Sequence, residues 1–186
     1  MEFIFLKAIF IIIIMKAIGE IVKPPHIMES EKIIRTCLSM YQPGEIYVSF
    51  NGGKDITAAS YILIDTISKE TLSQIQFVHF QEKDEFPELV EFIDEFSNKM
   101  HINVKHIQSN TIYEGVINLV NENNCKAIIM GTRSTDPSID AEKGPFQPTS
   151  TGWPNFMRVY PVFQWTYTDI WDYLQGRLYC SLYDKV

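Results

Sequence analysis

Apolar and polar positions fall into blocks along this chain, and the blocks predict a regular succession of helices and strands. From Ser30, the spacing of Ile33, Ile34, Cys37, Leu38 and Tyr41 puts apolar side chains on one face of a helix, which Pro43-Gly44 stops. Ile46 to Phe50 is a short apolar run bounded by turn residues and predicts a buried strand; Ile56 to Ile67 returns to helical spacing. "IQFVHF", Ile75 to Phe80, predicts a second strand. Pro87 then stands near the start of a helix reaching about Asn98, a position where a missing N–H is tolerated. Val104 to Gln108 predicts a third strand, and Thr111 to Asn123 a helix with Ile112, Val116, Leu119 and Val120 on one face. "AIIMG", Ala127 to Gly131, predicts a fourth strand. Strands alternating with helices of this length imply βαβ units with right-handed crossovers, hence an α/β, doubly wound, mostly parallel sheet with flanking helices.

After Gly131 the pattern dissolves. Residues 132–156 are rich in Pro, Gly, Ser, Thr and Asp and read as one long irregular loop, of a kind that in a compact domain is functional or disordered. Trp153 and Phe156 inside it favour function. Order resumes through "FMRVYPVFQW" and the amphipathic "TYTDIWDYL". At the other end, Pro24-Pro25 marks a boundary between an apolar extension, residues 1–28, and one domain, residues 29–186. The extension "MEFIFLKAIFIIIIMKAIGEIV" is interrupted by Lys7 and falls short of the about 20 apolar residues of a membrane span. Glu2 precedes its apolar core and no A-x-A site follows, which argues against a signal peptide. The expected reading is an extended gene start, with Met15 or Met28 as the native initiator.

Composition narrows the classes. A chain of 186 residues suffices for one well-cored domain and not for two of ordinary size, and its 46% apolar content fits a globular protein. The formal net charge of −7, without a Lys/Arg run, argues against a nucleic-acid groove and leaves room for a small anionic ligand held by local donors. Cys37, Cys125 and Cys180 are odd in number, far apart and in no CxxC or Cys/His cluster. They read as free thiols of a reducing compartment, the cytoplasm, and give no zinc site. Nothing in the pattern fixes an oligomeric state.

Three segments carry candidate chemistry. Asn51-Gly52-Gly53-Lys54-Asp55 stands at the carboxyl end of the first strand, the edge where open α/β sheets bind ligands. Gly52 and Gly53 permit positive φ and close backbone approach, and their N–H groups with those of the next helix's first turn would cradle an anion. Lys54 adds a point charge, and Asp55 meets Mg²⁺ or caps the helix. The alternative is a plain βα turn with an Asp N-cap. The loop is neither a Walker A nor a G-x-G-x-x-G sequence. "MGTRSTDP", Met130 to Pro137, brings Arg133 and Asp136 to the same edge. Arg133 would clamp a phosphate or stack on a base, and Asp136 would bond a hydroxyl, a ring edge or a metal; alternatively the segment is an Asp-Pro turn with a surface Arg. In "GWPNFMRVYPVFQWTYTDIWDYL", Trp153, Phe156, Trp165 and Trp171 are candidates to wall a pocket for a flat ring. For Trp171 and Tyr173 a core position is favoured. His79 is expected to be a satisfied core histidine, with contact to a nucleotide as the alternative, and the acidic run from Glu82 to Glu85, with Glu88, to be a solvated loop and first-turn charge.

"SFNGGKD", "FPELVEFI", "IIMGTRSTDP" and "WPNFMRVYPVFQWTYTDIWDYL", in this order between about Ile46 and Lys185, resemble eukaryotic-type FAD synthase. That family comprises FMN adenylyltransferases on the PP-loop fold of 3′-phosphoadenylyl-sulfate reductases. The resemblance implies that MgATP and FMN give FAD and pyrophosphate. It places Ser49, Phe50, Asn51, Gly52, Gly53, Lys54 and Asp55, with Phe80, Gly131 and Arg133, on the ATP side. It places Asp136, Ser150, Trp153 and Arg158 on the flavin side. Asn51, Asp55 and Asp136 are the implied catalytic group, and Asp55 and Asp136 the implied contacts to Mg²⁺, which the ATP phosphates mainly carry. Ser150 stands where the family has an Asp three residues before the loop Trp. The family also continues past "LYDK" to an element bearing an active-site Arg, whereas this chain ends at Tyr183-Asp184-Lys185-Val186, so a weakened enzyme is expected. Two alternatives stand beside it. One is a thiol-dependent sulfonucleotide reductase, for which Cys180 within "LYCSLYD" is poorly suited; the other is a nucleotide- or flavin-binding protein without turnover.

Overall fold

Ile46–Ser49 (β1) lies near the middle of a six-stranded sheet in the computed structural model, which describes residues 23–81, 83–137, 139–175 and 177. Gln76–Gln81 (β2) and Val104–Gln108 (β3) extend it on one side. Ala127–Ile129 (β4), Phe146–Pro148 (β5) and Met157–Val159 (β6) extend it on the other, in the order β3-β2-β1-β4-β6-β5. All neighbours are parallel except β5, which pairs antiparallel with β6. The helices are Pro25–Met40 (α1), Lys54–Thr66 (α2), the single turn Lys69–Leu72 (α3), Pro87–Met100 (α4), Ile112–Glu122 (α5) and Tyr167–Gln175 (α6).

The central strands β1 and β4 are buried on both faces, as in parallel sheets covered by helices. Ile46, Val48, Phe77 and Ile129 share a core with Ile34 of α1, Ile62 and Leu63 of α2, Ile93 and Phe96 of α4, and Ile170 of α6. Tyr47, Val78 and Ile128 alternate to the opposite face and meet Leu119 of α5 and Cys125. The helices α2 and α4 therefore carry the chain outward from β1 to β3 along one face. Helix α5 then returns it along the other face, past β1, to β4. The direction of winding reverses between β1 and β4, and the loops leaving those two strands flank the crevice where such sheets bind ligands.

Element type follows the sequence pattern closely, and the departures have local causes. Helix α1 begins at Pro25 rather than Ser30, because a proline at the first helical position is already set for the helix, while Pro24 stays extended at φ −50° and ψ 142°. Residues 132–156 are not one irregular loop. They contain a 3-10 turn, Ala141–Lys143, and strand β5 on the sheet edge. Buried Gln147 of β5 donates to Asp140 O (2.8 Å) and Gly144 O (2.9 Å), so the segment closes on itself through side-chain bonds that leave no apolar period. Trp165 is a core residue: it is buried, and its Nε1 donates to Ser30 Oγ at 2.9 Å. Trp171 is half-buried and outside that core, with Tyr173 packed against it. The N-terminal extension through residue 22, Cys180 and the C-terminal tail lie outside the described residues. Among the described residues no helix is long and apolar enough to cross a membrane.

Cys37 and Cys125 are buried and unpaired, and burial pushes each thiol up from 9.0 to about 12. Both should therefore resist iodoacetamide at pH 8 in the native protein and react once urea unfolds it, as read by peptide mass mapping. A value raised in the folded state gives stability that is whole below the unfolded value of 9.0 and lost as pH rises through about 12. The urea midpoint should fall in that window, and less steeply in a Cys37→Ala/Cys125→Ala variant.

Candidate active site

Strand β1 keeps its pairing one residue beyond its end: Phe50 N–H donates to Val78 O at 2.8 Å, and the Phe50 ring stacks on Phe96 at 4.6 Å inside the core. The chain then turns through Asn51–Gly53. Gly52 sits at φ +71°, and a Cβ there would lie 2.6 Å from Leu89 Cδ1, so the turn both needs left-handed backbone and presses on α4. Asn51 folds over the turn and its Oδ1 accepts from Gly53 N–H at 3.1 Å. Gly53, not Asp55, is the N-cap of α2, and no side chain caps that helix. This removes the plain turn with an Asp cap. It leaves first-turn N–H groups, with the positive end of the helix dipole, directed at the crevice.

The loop after β4 reaches the same place. Met130 N–H donates to Val159 O (2.9 Å) and Ser134 N–H to Phe163 O (2.7 Å), which pins the loop at both ends. Between them Gly131 lies flat on the first turn of α2. A Cβ at Gly131 would come within 2.7 Å of Ile56 Cα and 2.8 Å of the Asp55 carbonyl carbon. Arg133 and Asp136 form a reciprocal turn. Asp136 Oδ2 accepts from Arg133 N–H at 2.9 Å, and Asp136 N–H donates to Arg133 O at 3.0 Å.

Asp55 is thereby held between two cations. Its Oδ2 accepts from Lys54 Nζ at 2.8 Å, and its Oδ1 is 3.1 Å from Arg133 Nε. That second approach has ion-pair distance without hydrogen-bond alignment, so Asp55 Oδ1 and Arg133 Nε are both buried with no hydrogen-bond partner. A buried polar atom left unbonded costs about 1–3 kcal/mol; an entering anion would accept from Arg133 Nε, whereas Asp55 Oδ1, itself an acceptor, needs a donor. Lys54 Nζ also lies 5.5 Å from the centroid of the exposed Tyr167 ring. Among the described residues no three His, Cys, Asp or Glu side chains gather as a metal site. Both oxygens of Asp55 face cations, Lys54 Nζ and Arg133 Nε.

A slot of about 180 Å³ opens on the α5 face of the same two strands. Ser49, Ile128 and Met130 form its floor, Phe80, Ile112 and Val116 one wall, and Thr149, Ser150, Trp153 and Phe156 the other. Among the described residues Arg158 is its one charged lining residue. Arg158 Nη2 donates to Pro148 O at 3.0 Å, while its Nε is buried without a hydrogen-bond partner. Trp153 is 42% exposed and meets the edge of Tyr113 at 5.1 Å, and Tyr113 Oη donates to Gly152 O at 2.9 Å. An apolar slot with one cation and an aromatic cover suits a flat heterocycle.

The sequence-expected residues thus fall into two adjoining groups. Asn51, Gly52, Gly53, Lys54, Asp55, Gly131, Arg133 and Asp136 meet at the edge, and Ser49, Phe80, Ser150, Trp153 and Arg158 meet in the slot. Phe50 contributes backbone only, because its ring is core. The sequence reading missed Tyr113, Ile112 and Val116, whose helical spacing marked a buried face without showing that the face ends in a slot. It also missed that Glu85 leaves the solvated loop to bond buried His79; Glu82 lies outside the described residues.

Two loops thus meet at the reversal of a parallel sheet on an α/β fold, one opening an uncapped helix and one bearing Arg133. The chain belongs to the phosphoadenosine phosphosulfate reductase domain family, whose model matches residues 45–118 and 111–186. It is 36% identical over 166 residues to a protein of Schizosaccharomyces pombe named "Probable FAD synthase", covering 84% of this chain and 62% of that one. The Candida glabrata FMN adenylyltransferase, solved with FMN and the ATP analog AMPCPP, superposes with a TM-score of 0.72 at 29% identity, over 85% of this chain and 59% of that one. A phosphoadenylyl-sulfate reductase from Candida auris shares the fold at a TM-score of 0.66 and 9% identity, over 89% of this chain and 87% of that one. The chain spans less than two thirds of the length of the two FAD-forming relatives.

Gly131→Ala should lower stability by about 1–3 kcal/mol in urea unfolding, because its Cβ meets helix backbone that cannot give. Gly44→Ala, which meets nothing within 4 Å, should stay within about 0.5 kcal/mol of the parent.

Proposed function

We propose that this chain is an FMN adenylyltransferase, which moves AMP from MgATP to the phosphate of FMN and forms FAD and pyrophosphate. The observation that carries the reading is the adjacency of an anion-directed helix start and an aromatic-covered slot on strands β1 and β4. The relatives named as FAD synthase and FMN adenylyltransferase add their support.

In this reaction an oxygen of the FMN phosphate attacks the α-phosphorus of ATP. The bond from that phosphorus to the bridging oxygen of pyrophosphate breaks, and the electron pair leaves with pyrophosphate. The attacking oxygen is already ionised at neutral pH, so no general base is needed, and catalysis rests on in-line positioning and charge neutralisation. The N–H groups at the start of α2, with Lys54 and Arg133, receive the phosphates. Asn51 shapes the turn through Gly53 N–H, and Asp136 shapes the Arg133 loop through its backbone bond. Mg²⁺ enters as part of the substrate, on the ATP phosphates, because Asp55 is engaged by Lys54 and Arg133. Phe80, Ser150, Trp153 and Arg158 line the ring site, where Arg158 Nε suits a heterocycle carbonyl. A reductase of the same fold would need an accessible thiolate; Cys37 and Cys125 are buried thiols, and Cys180 lies outside the described residues. The same thiols favour a reducing compartment, the cytoplasm.

The test is FAD formation and pyrophosphate release by the full chain from FMN, ATP and Mg²⁺. Arg133→Ala should lower kcat by about 10²–10³, the range for removing one donor from a developing charge. Trp153→Ala should raise KM for FMN by about tenfold, as for loss of one ring contact, with KM for ATP unchanged. Binding of both substrates without any FAD would make this a binding protein and overturn the reading.

A further inference from the structure

His79 is 1% exposed, on β2 beside the turn that leaves β1, and both its ring nitrogens face oxygen. Nδ1 lies 3.2 Å from Phe50 O and Nε2 lies 2.7 Å from Glu85 Oε2. A carbonyl oxygen can only accept, so a hydrogen bond to Phe50 O assigns Nδ1 as the donor and turns Nε2 to the Glu85 carboxyl. The neighbouring ring from β3 is His106, edge-on at 5.3 Å, whose Nε2 is 3.1 Å from Asp94 Oδ1 of α4. Each imidazole therefore has its own carboxylate, one from the segment before α4 and one from α4 itself.

The carbonyl that His79 binds is the last fixed group before the turn. Phe50 is held by its ring on Phe96, by its N–H on Val78 O and by its C=O on His79. The peptide between Phe50 and Asn51 is trans and planar, so its C=O and its N–H point in opposite directions. Holding the Phe50 carbonyl toward His79 therefore aims the Asn51 N–H away from it and sets the path by which Asn51, Gly52 and Gly53 reach α2. On the far side of the same turn Gly52 lies where a Cβ would come within 2.6 Å of Leu89 Cδ1, so only glycine fits.

We propose that His79, oriented by Glu85, is a positioning residue for the phosphate-binding turn, acting through the Phe50 carbonyl. An aliphatic side chain would fill the strand position; the imidazole adds a directed donor to this one acceptor. The inference rests on the nucleotide reading of the turn, and its test separates the two.

The experiment measures Kd for MgATP and, separately, for FMN by calorimetry on the full chain. The amide nitrogen of Asn stands where Nδ1 stands, and that of Gln where Nε2 stands. His79→Asn should keep MgATP binding within about threefold, whereas His79→Gln should weaken it by about tenfold, as for loss of one buried hydrogen bond, with FMN binding unchanged in both. Glu85→Gln should stay within about twofold and Glu85→Leu should weaken MgATP binding by about fivefold, as for a modest loss of orientation. That pair decides the matter if His79→Gln does not fold. Equal losses in the two members of a pair, or parallel losses of MgATP and FMN, would reduce His79 to a core residue and overturn the proposal. Parent chain that binds no MgATP would overturn the nucleotide reading with it, while parent binding that His79→Gln leaves intact would overturn the positioning role alone.

Discussion

The contact between the Gly131 backbone and the first turn of α2 sets the spacing of everything around it. A helix start attracts anions only over its first turn, so a second group can share the ligand only if its loop approaches that turn closely. At Gly131 the approach is limited by backbone atoms alone, since a Cβ would fall inside the contact distance of Ile56 and Asp55. Arg133, two residues on, is thereby brought to 3.1 Å from Asp55. Moving the loop outward by the thickness of a methyl group would break that approach and widen the crevice. The hydrogen bonds from Met130 and Ser134 hold the loop against such a shift.

The charges at this edge are balanced within the chain but imperfectly bonded. Asp55 is shared by Lys54 and Arg133, with a bonded contact to one and a misaligned contact to the other. All three side chains keep some exposure, so their mutual attraction is screened and contributes modestly to stability. An anion entering here competes with a single carboxylate for two cations and gains uncapped N–H donors that no protein group uses. Asp55 thereby holds Lys54 and Arg133 in place at this edge.

Much of this was legible in the sequence, for a physical reason. Parallel strands buried on both faces appear as short continuous apolar runs, and here β1 and β4 lead into the glycine-bearing loops that meet at the sheet edge, Asn51-Gly52-Gly53 and Gly131. Helix periods were equally clear in α4 and α5. What could not be read depends on distance in the fold. Strand β5 is three residues long, too short for a period, and is held by its pairing with β6 and the bonds of Gln147. Trp153 and Trp165 are alike in sequence context, yet one covers a slot and the other anchors Ser30 in the core. Glu85 sits in an acidic run that reads as solvated, and only the depth of His79 draws it inward.

The two halves of the site are joined by covalent geometry rather than by side-chain contacts. Ser49 lines the slot and stands two residues before Asn51; Met130 lines it and stands one residue before Gly131. A ring in the slot is therefore located by the same strand ends that launch the two phosphate-side loops. Rigid parallel pairing of β1 with β4, Val48 opposite Ile129, fixes those ends relative to each other. A ligand with a flat ring and a charged phosphate tail is thus measured by a frame that cannot stretch, whereas a ring alone or a phosphate alone would engage only one end of it. For a reaction that depends on in-line placement and needs no proton transfer, such a frame supplies most of what the protein must provide.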